Sequence, residues 1–299
     1  MLLVLTIILF ACGTCFIISL AFRGSYRGEG VALIYVDGTL TASSEGGMTG
    51  WGTSAESLVE QLHRARKEDR IKAVLLRVDS PGGTPAAAEE VFTEVRRTAR
   101  KKPVVVSVGD MCASAAYQIA SASDCIYASP DSDVGSIGVI AQLINLEGLN
   151  QKIGVRYFIF TKGQHKDMYS PFRVPTPEET AILQGQMQVA YDNFIANVAR
   201  GRQGRMTEEK VRELANGLTW PGVEAKGLGL IDELGNFRDA AEKAGKLGGI
   251  KGEVHLIRMN QSSPLSLFGD FIEALRELVR STGLYNRDAQ GIKENPTVR

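Results

Sequence analysis

A serine, a glycine pair and a short basic loop are the residues of this 299-residue chain whose types and settings could do chemistry together. Ser114 follows the β-branched run Val104 to Val108, which Pro103 introduces and Gly109-Asp110 is expected to end. It precedes Ala115, Ala116 and a stretch rich in alanine and isoleucine with helical spacing. A hydroxyl where a strand turns into a helix lies beside backbone N–H groups that lack intrahelical acceptors. Such groups can hold the charge that develops on a carbonyl oxygen under attack, so the chemistry to expect is nucleophilic acyl transfer. The small neighbours leave room for a substrate carbonyl. A serine alone at such a place is an ordinary N-cap, and the assignment needs a second group converging on it. Gly82-Gly83 is that group. Ile71 to Val78 reads as a buried strand ending in Asp79-Ser80-Pro81-Gly82-Gly83. Glycines at the carboxyl end of a parallel strand let N–H groups point into the crevice where open α/β sheets bind ligands. Pro-Gly-Gly by itself is a turn, but two crevice loops from successive strand–helix units make a site.

A serine nucleophile needs a proton acceptor. Of three histidines, His63 lies in a charged helix and His255 in the late strand-like VHLIR, so both read as structural or surface residues. His165 is better placed, in the loop Thr161 to Met168 that follows a strand-like VRYFIF at Val155 to Phe160. No Ser/His/Asp pattern surrounds it, and Gly-x-Ser-x-Gly is absent around Ser114. Lysine is the alternative base, where desolvation or nearby positive charge makes a neutral amine available. Spacing alone leaves Lys162, Lys166 and His165 open. Asp131 and Asp133 read as solvated turn residues rather than a metal site. Cys112 and Cys125 sit in apolar surroundings and Cys12 and Cys15 in an apolar leader, so neither a disulfide framework nor zinc spacing is expected. No cofactor is expected.

The elements that must position these residues alternate as in an α/β domain. Val31 to Val36 is a first strand, and Thr53-x-x-Glu56 reads as a capping box opening a helix with Leu58, Leu62 and Ala65 on one face. Thr84 and Pro85 start a helix through Val91 and Val95, and Asp124 to Tyr127 is another short strand. Residues 177 to 200 carry a long helical pattern. Residues 1 to 22 hold no charged side chain; at ~1.5 Å per residue a helix of that length crosses a ~30 Å hydrocarbon core, so a membrane anchor is expected. With 34 basic and 34 acidic residues the chain offers no electrostatic case for nucleic acid. Leu267, Phe271, Leu275 and Leu278 share a helical face late in the chain, and a polar tail follows Tyr285.

Four motifs, DSPGG at 79–83, MCASAAYQIA at 111–120, DVGSIGV at 133–139 and KGQHKDMYSPFR at 162–173, stand in the order and spacing of the serine/lysine signal peptide peptidase family. The chain resembles that family from about residue 29 to 257. The resemblance implies a Clp-protease/crotonase-like α/β core of repeated strand-strand-helix units, preceded by one N-terminal transmembrane helix. It implies Ser114 as nucleophile, Lys166 as general base, and an oxyanion hole from Gly83 and Ala115. It also implies a homo-oligomer whose active sites combine residues of neighbouring subunits. The substrates it implies are remnant signal peptides and other short membrane or unfolded polypeptides. The catalytic domain would lie outside the cytoplasmic membrane, against the orientation that Arg23 and Arg27 suggest. The expected divisions are an anchor at 1–22, a peptidase domain at 29–260 and a C-terminal segment at 261–299. Ser114-Ala115-Ala116-Tyr117 departs from the Ser-Gly-Gly-Tyr of many relatives, which adds bulk beside the nucleophile without removing a donor. The competing classes are a crotonase-like acyl-CoA enzyme, a non-catalytic membrane scaffold and a protease of the stomatin-partner type.

Overall fold

Three long apolar strands carry the architecture, and each does so by serving two sets of neighbours. The computed structural model describes residues 28–43 and 52–259; the expected anchor and the C-terminal segment lie outside them. β1 (Gly30–Thr41), β3 (Ile71–Gly83) and β4 (Val104–Ala113) run parallel side by side. At their amino-terminal halves the sheet extends to β9 (Leu256–Arg258) beyond β1, and through β5 (Cys125–Ala128) to β8 (Glu233–Leu234) beyond β4. At their carboxyl halves different neighbours take over: β2 (Gly52–Ser54) on β1, and β6 (Asp133–Gly135) on β4 with β7 (Thr219–Pro221) antiparallel to it. Register shifts at Asp37/Thr39 and Val78/Ser80 mark the change. They re-aim the strand ends that carry the glycine pair and the serine.

Helices cover both faces, which is why the strands read as continuous apolar runs. Ala32, Ile34, Val36, Val74, Leu76, Val78, Val104 and Val106 face one core together with Leu58 and Leu62 of α1 (Ala55–Lys67), Val91 and Phe92 of α2 (Pro85–Ala99) and Tyr117 of α3 (Ala115–Ser121). The alternate residues Val31, Leu33, Ala73, Leu75 and Val105 meet Ala240, Ala241 and Ala244 of α8 (Phe237–Leu247). The remaining helices are α4 (Glu147–Ile153), α5 (Pro177–Gly201), α6 (Glu208–Leu214) and α7 (Gly222–Gly227). At 25 residues α5 spans roughly 37 Å. Its C-terminal half packs on α3, and Gly201 is placed so that a Cβ would stand 2.3 Å from the Ser121 carbonyl oxygen. Among the described residues no helix is long and apolar enough to cross a membrane.

Three expectations are corrected. β4 does not stop at Gly109-Asp110: it continues to Ala113, because Met111–Ala113 pair with Asp133–Gly135. Thr53 is not the cap of α1. Its hydroxyl exchanges two hydrogen bonds with the backbone of Asp37 (2.7 and 2.9 Å), and Ser54 caps instead through Ser57 N–H. VRYFIF forms no strand. Residues 155–160 are exposed, and no segment among the described residues offers them a ladder.

Candidate active site

The polypeptide reaches Ser114 under constraint from two sides. From β4, the Ser114 N–H donates to the carbonyl oxygen of Gly135 on β6 (2.8 Å), one residue beyond the last paired position. Toward α3, its carbonyl accepts the Gln118 N–H (3.0 Å) and so starts the helix. Meeting both demands places Ser114 at φ 53°, ψ −125°, in the half of conformational space that residues with a side chain avoid. The turn presents the hydroxyl at the carboxyl end of the sheet and leaves Ala115 as the first residue of the helix, with an N–H that has no intrahelical acceptor.

Gly82 lies against this turn. A Cβ there would stand 2.8 Å from the Cβ of Ser114 and 3.0 Å from the Ala115 nitrogen, and its φ of +110° also requires glycine. Ser80 pins the approach by donating to the Gly38 carbonyl and accepting the Gly82 N–H (3.1 Å). Gly83 runs beside β1 so closely that a Cβ would stand 1.9 Å from the Leu40 carbonyl oxygen. Asp79 ties the two strand ends together by accepting the Met111 N–H (3.1 Å). Beside it, burial and the Asp79 charge push the Asp37 carboxyl above its usual range.

Ser114 and Pro81 open into a crevice of about 820 Å³, a volume suited to a few side chains of an extended ligand. Its further lining is Ser136, Gly138, Val139 and Ile140 after β6, Gln184, Met187, Gln188 and Tyr191 on α5, and Ala215, Asn216 and Gly217 after α6. Sequence reasoning missed Ser136 and the α5 residues as parts of the site. Ser136 carried a signal, being the single hydroxyl in a small-residue loop. It has the same kind of backbone as Ser114 (φ 52°), with its N–H donating to the Leu218 carbonyl (2.7 Å).

The structure brings Ser114, Ala115 and the Gly82-Gly83 loop together and does not bring Lys166 to them. Lys166 is exposed, outside the crevice lining, with no side-chain hydrogen bond or ion pair among the described residues. Of the other candidate bases, Lys162 is exposed and His165 lies 3.8 Å from Glu178. Cys112, two residues before Ser114, is fully buried, and burial pushes its thiol far above the usual range.

A sequence profile of peptidase family S49 matches residues 96–251, and one of Clp protease matches residues 51–134. A Synechocystis sp. protein named as a candidate protease is 38% identical over 200 residues, 67% of this chain and 72% of that protein. Protease 4 of Salmonella typhi is 34% identical over 225 residues, 75% of this chain but 35% of its own length. An Enterococcus faecium protein named as a candidate signal peptide peptidase SppA is 35% identical over 192 residues, 64% of this chain and 55% of that protein.

Proposed function

We propose a mechanism for a chain that belongs to peptidase family S49 and is a serine peptidase of the signal peptide peptidase type. These similarities support a protease over the acyl-CoA alternative. Ser114 is the nucleophile, and the observation that carries this is its backbone. A non-glycine residue held at φ 53° beside a ligand-sized crevice is strain kept at a position the surrounding structure over-determines. Ser114 Oγ attacks the peptide carbonyl as the neutral amine of Lys166 takes its proton. The N–H groups of Ala115 and Gly83 hold the oxyanion. Collapse of the tetrahedral intermediate breaks the C–N bond, and the Lys166 ammonium returns the proton to the leaving amine. A water molecule, deprotonated by the same amine, then attacks the ester carbonyl, the bond to Ser114 Oγ breaks, and the ammonium returns the proton to that oxygen.

Lys166 reaches the serine from a neighbouring copy of the chain. Two features support this: Lys166 has no side-chain partner among the described residues, and the segment before it is rich in exposed apolar side chains, with Phe158 78% and Phe160 92% exposed. Val139, Ile140, Met187 and Tyr191 give the crevice apolar walls suited to signal peptide remnants and other apolar polypeptides. The uncharged residues 1–22 anchor the chain in a cell membrane once, with the peptidase domain on the extracytoplasmic side. No cofactor, metal or nucleic acid enters this reading.

The test is incubation of the assembled protein with a fluorophosphonate probe and with a quenched apolar peptide. Ser114 is expected to carry the label, and Ser114→Ala to lose both labelling and hydrolysis while keeping its fold and assembly. Hydrolysis within about tenfold of wild type in Ser114→Ala would remove the assignment, since loss of a nucleophile is worth far more than that.

A further inference from the structure

The loop that carries Lys166 is fastened on both sides of that residue. Gln164 Nε2 donates to Glu178 Oε2 (3.3 Å), His165 stands beside the same carboxylate, and Tyr169 Oη donates to Gln186 Oε1 (2.9 Å). Met168 is buried, and Asp167 is gripped by Arg173. The backbone closes three successive turns, through Lys166 N–H to Gly163 O (3.2 Å), Met168 N–H to His165 O (3.3 Å) and Ser170 N–H to Asp167 O (2.8 Å). Between these fastened neighbours Lys166 is exposed, without a side-chain partner among the described residues.

Arg173 is the hub of this fastening. Its Nε and Nη2 donate to the two carboxylate oxygens of Asp167 (2.9 and 3.0 Å), and Nη2 also meets the Asp167 carbonyl (3.3 Å). Its Nη1 and Nη2 donate to the two oxygens of Glu179 (2.7 and 2.6 Å), with Nη1 also on the Val174 carbonyl (3.2 Å). Glu179 is itself immobilised. Its side chain is 5% exposed, and it forms a reciprocal capping box with Thr176 at the start of α5. The next turns of that helix supply Gln184, Met187, Gln188 and Tyr191 to the crevice wall. One guanidinium therefore joins the residue next to Lys166 to the helix that lines the crevice.

We propose that Arg173 is a positioning residue for the base: the Asp167–Arg173–Glu179 clamp fixes the Lys166 loop on α5 of its own chain, so that the amine is presented to the Ser114 crevice of the neighbouring copy from a rigid support. The inference rests on the reading of Lys166 as the base. Isolated surface ion pairs contribute little, but two fork-like carboxylate contacts on one guanidinium fix orientation as well as distance. Lysine needs such help, because its flexible four-carbon stem sets no direction of its own and misplacement by ~1 Å costs on the order of 100-fold in rate. Hydrogen bonds from Arg173 hold the Glu179 carboxyl down to about 2 and the Asp167 carboxyl below its usual range, so the clamp stays ionised throughout the neutral pH range.

The experiment uses the full-chain assembly and four proteins: wild type, Lys166→Met, Arg173→Gln and the double variant, each checked for thermal unfolding and subunit number. Arg173→Gln is expected to lower kcat by roughly 10- to 100-fold with KM within about twofold, and to slow fluorophosphonate labelling of Ser114 equally. In the Lys166→Met background the same substitution should slow the residual labelling no further, since there is no amine left to misplace. Arg173→Lys should not rescue, because a point charge cannot span both carboxylates. If Arg173→Gln does not assemble, Asp167→Asn, which keeps the shape and removes the charge, replaces it in the same comparison. An inactive Lys166→Met beside a fully active Arg173→Gln overturns the clamp alone. A further loss in the Lys166→Met background makes Arg173 merely structural and overturns it too. Retained activity in Lys166→Met overturns the base reading, and the clamp's role with it.

Discussion

Two serines border the crevice with a backbone that ordinary residues avoid, Ser114 at φ 53° and Ser136 at φ 52°. Each such conformation costs on the order of 1–3 kcal/mol and persists only where its surroundings over-determine it. Here the N–H of Ser114 is committed to Gly135 and that of Ser136 to Leu218. The place of Ser114 between a strand and a helix was legible in the sequence because Pro103, the β-branched run and the alanine run mark the two elements, although the strand runs on through Gly109 to Ala113. Its backbone was not, since nothing in a run of small residues says that a serine rather than a glycine takes the positive φ. Cys112 gives a sharp contrast. It is fully buried, and burial pushes its thiol so high that no thiolate is present near neutrality. Hydrolysis should therefore survive iodoacetamide while a fluorophosphonate abolishes it, and Cys112→Ala should stay active. Mass spectrometry of the native protein checks this: a carboxamidomethyl group on Cys112 before unfolding would contradict the burial account.

Gly82 decides whether the two crevice loops can approach at all. A methyl group there meets the Cβ of Ser114 at 2.8 Å and the Ala115 nitrogen at 3.0 Å, from a φ of +110° that alanine adopts only under strain. Gly82→Ala should lose about 1–3 kcal/mol of stability in a denaturant titration, and far more activity than that loss explains, because the displaced atoms belong to the proposed nucleophile and oxyanion donor. An active Gly82→Ala enzyme would mean that the loops have slack. The strands β1, β3 and β4 were legible because both faces are buried, which leaves unbroken apolar runs. The change of neighbours halfway along them was not, since no local residue records which strand pairs with which half. The cap of α1 was misread by one residue because Thr53 and Ser54 are chemically alike, and the tie to Asp37 that removes Thr53 from the cap is a contact between distant parts of the chain. The α5 wall escaped notice for the same reason: Met187 and Tyr191 read as one stripe of a long helix, with nothing to say which part faces Ser114.

At the scale of the whole molecule, residues 140–160 carry large apolar side chains that are exposed among the described residues. Ile140 is 79% exposed and Ile144 72%, and the VRYFIF stretch further on is exposed too, its pattern promising a strand that finds no partner among the described residues. Scattered apolar side chains need no explanation, but so many large exposed ones in one short segment, with Ile140 in the crevice lining, mark a surface to be covered. Covering an exposed phenylalanine contributes about 1.5–3 kcal/mol. Phe158→Asp with Phe160→Asp should therefore shift the assembly toward single chains in sedimentation and lose hydrolysis, with the core's unfolding transition retained. Mixing then decides whether assembly also completes the site. Ser114→Ala supplies an intact Lys166, and Lys166→Ala supplies an intact Ser114. In a head-to-tail ring each site takes its serine from one copy and its lysine from the next. Random assembly from equal amounts makes half the serines intact and gives half of those an intact lysine neighbour, so about a quarter of wild-type activity should return on mixing two inactive proteins. Sites complete within one chain would return none, because every chain in the mixture lacks one member of the pair. Subunit exchange is followed in the same samples with differently tagged chains, so that a null result in exchanged rings counts against shared sites.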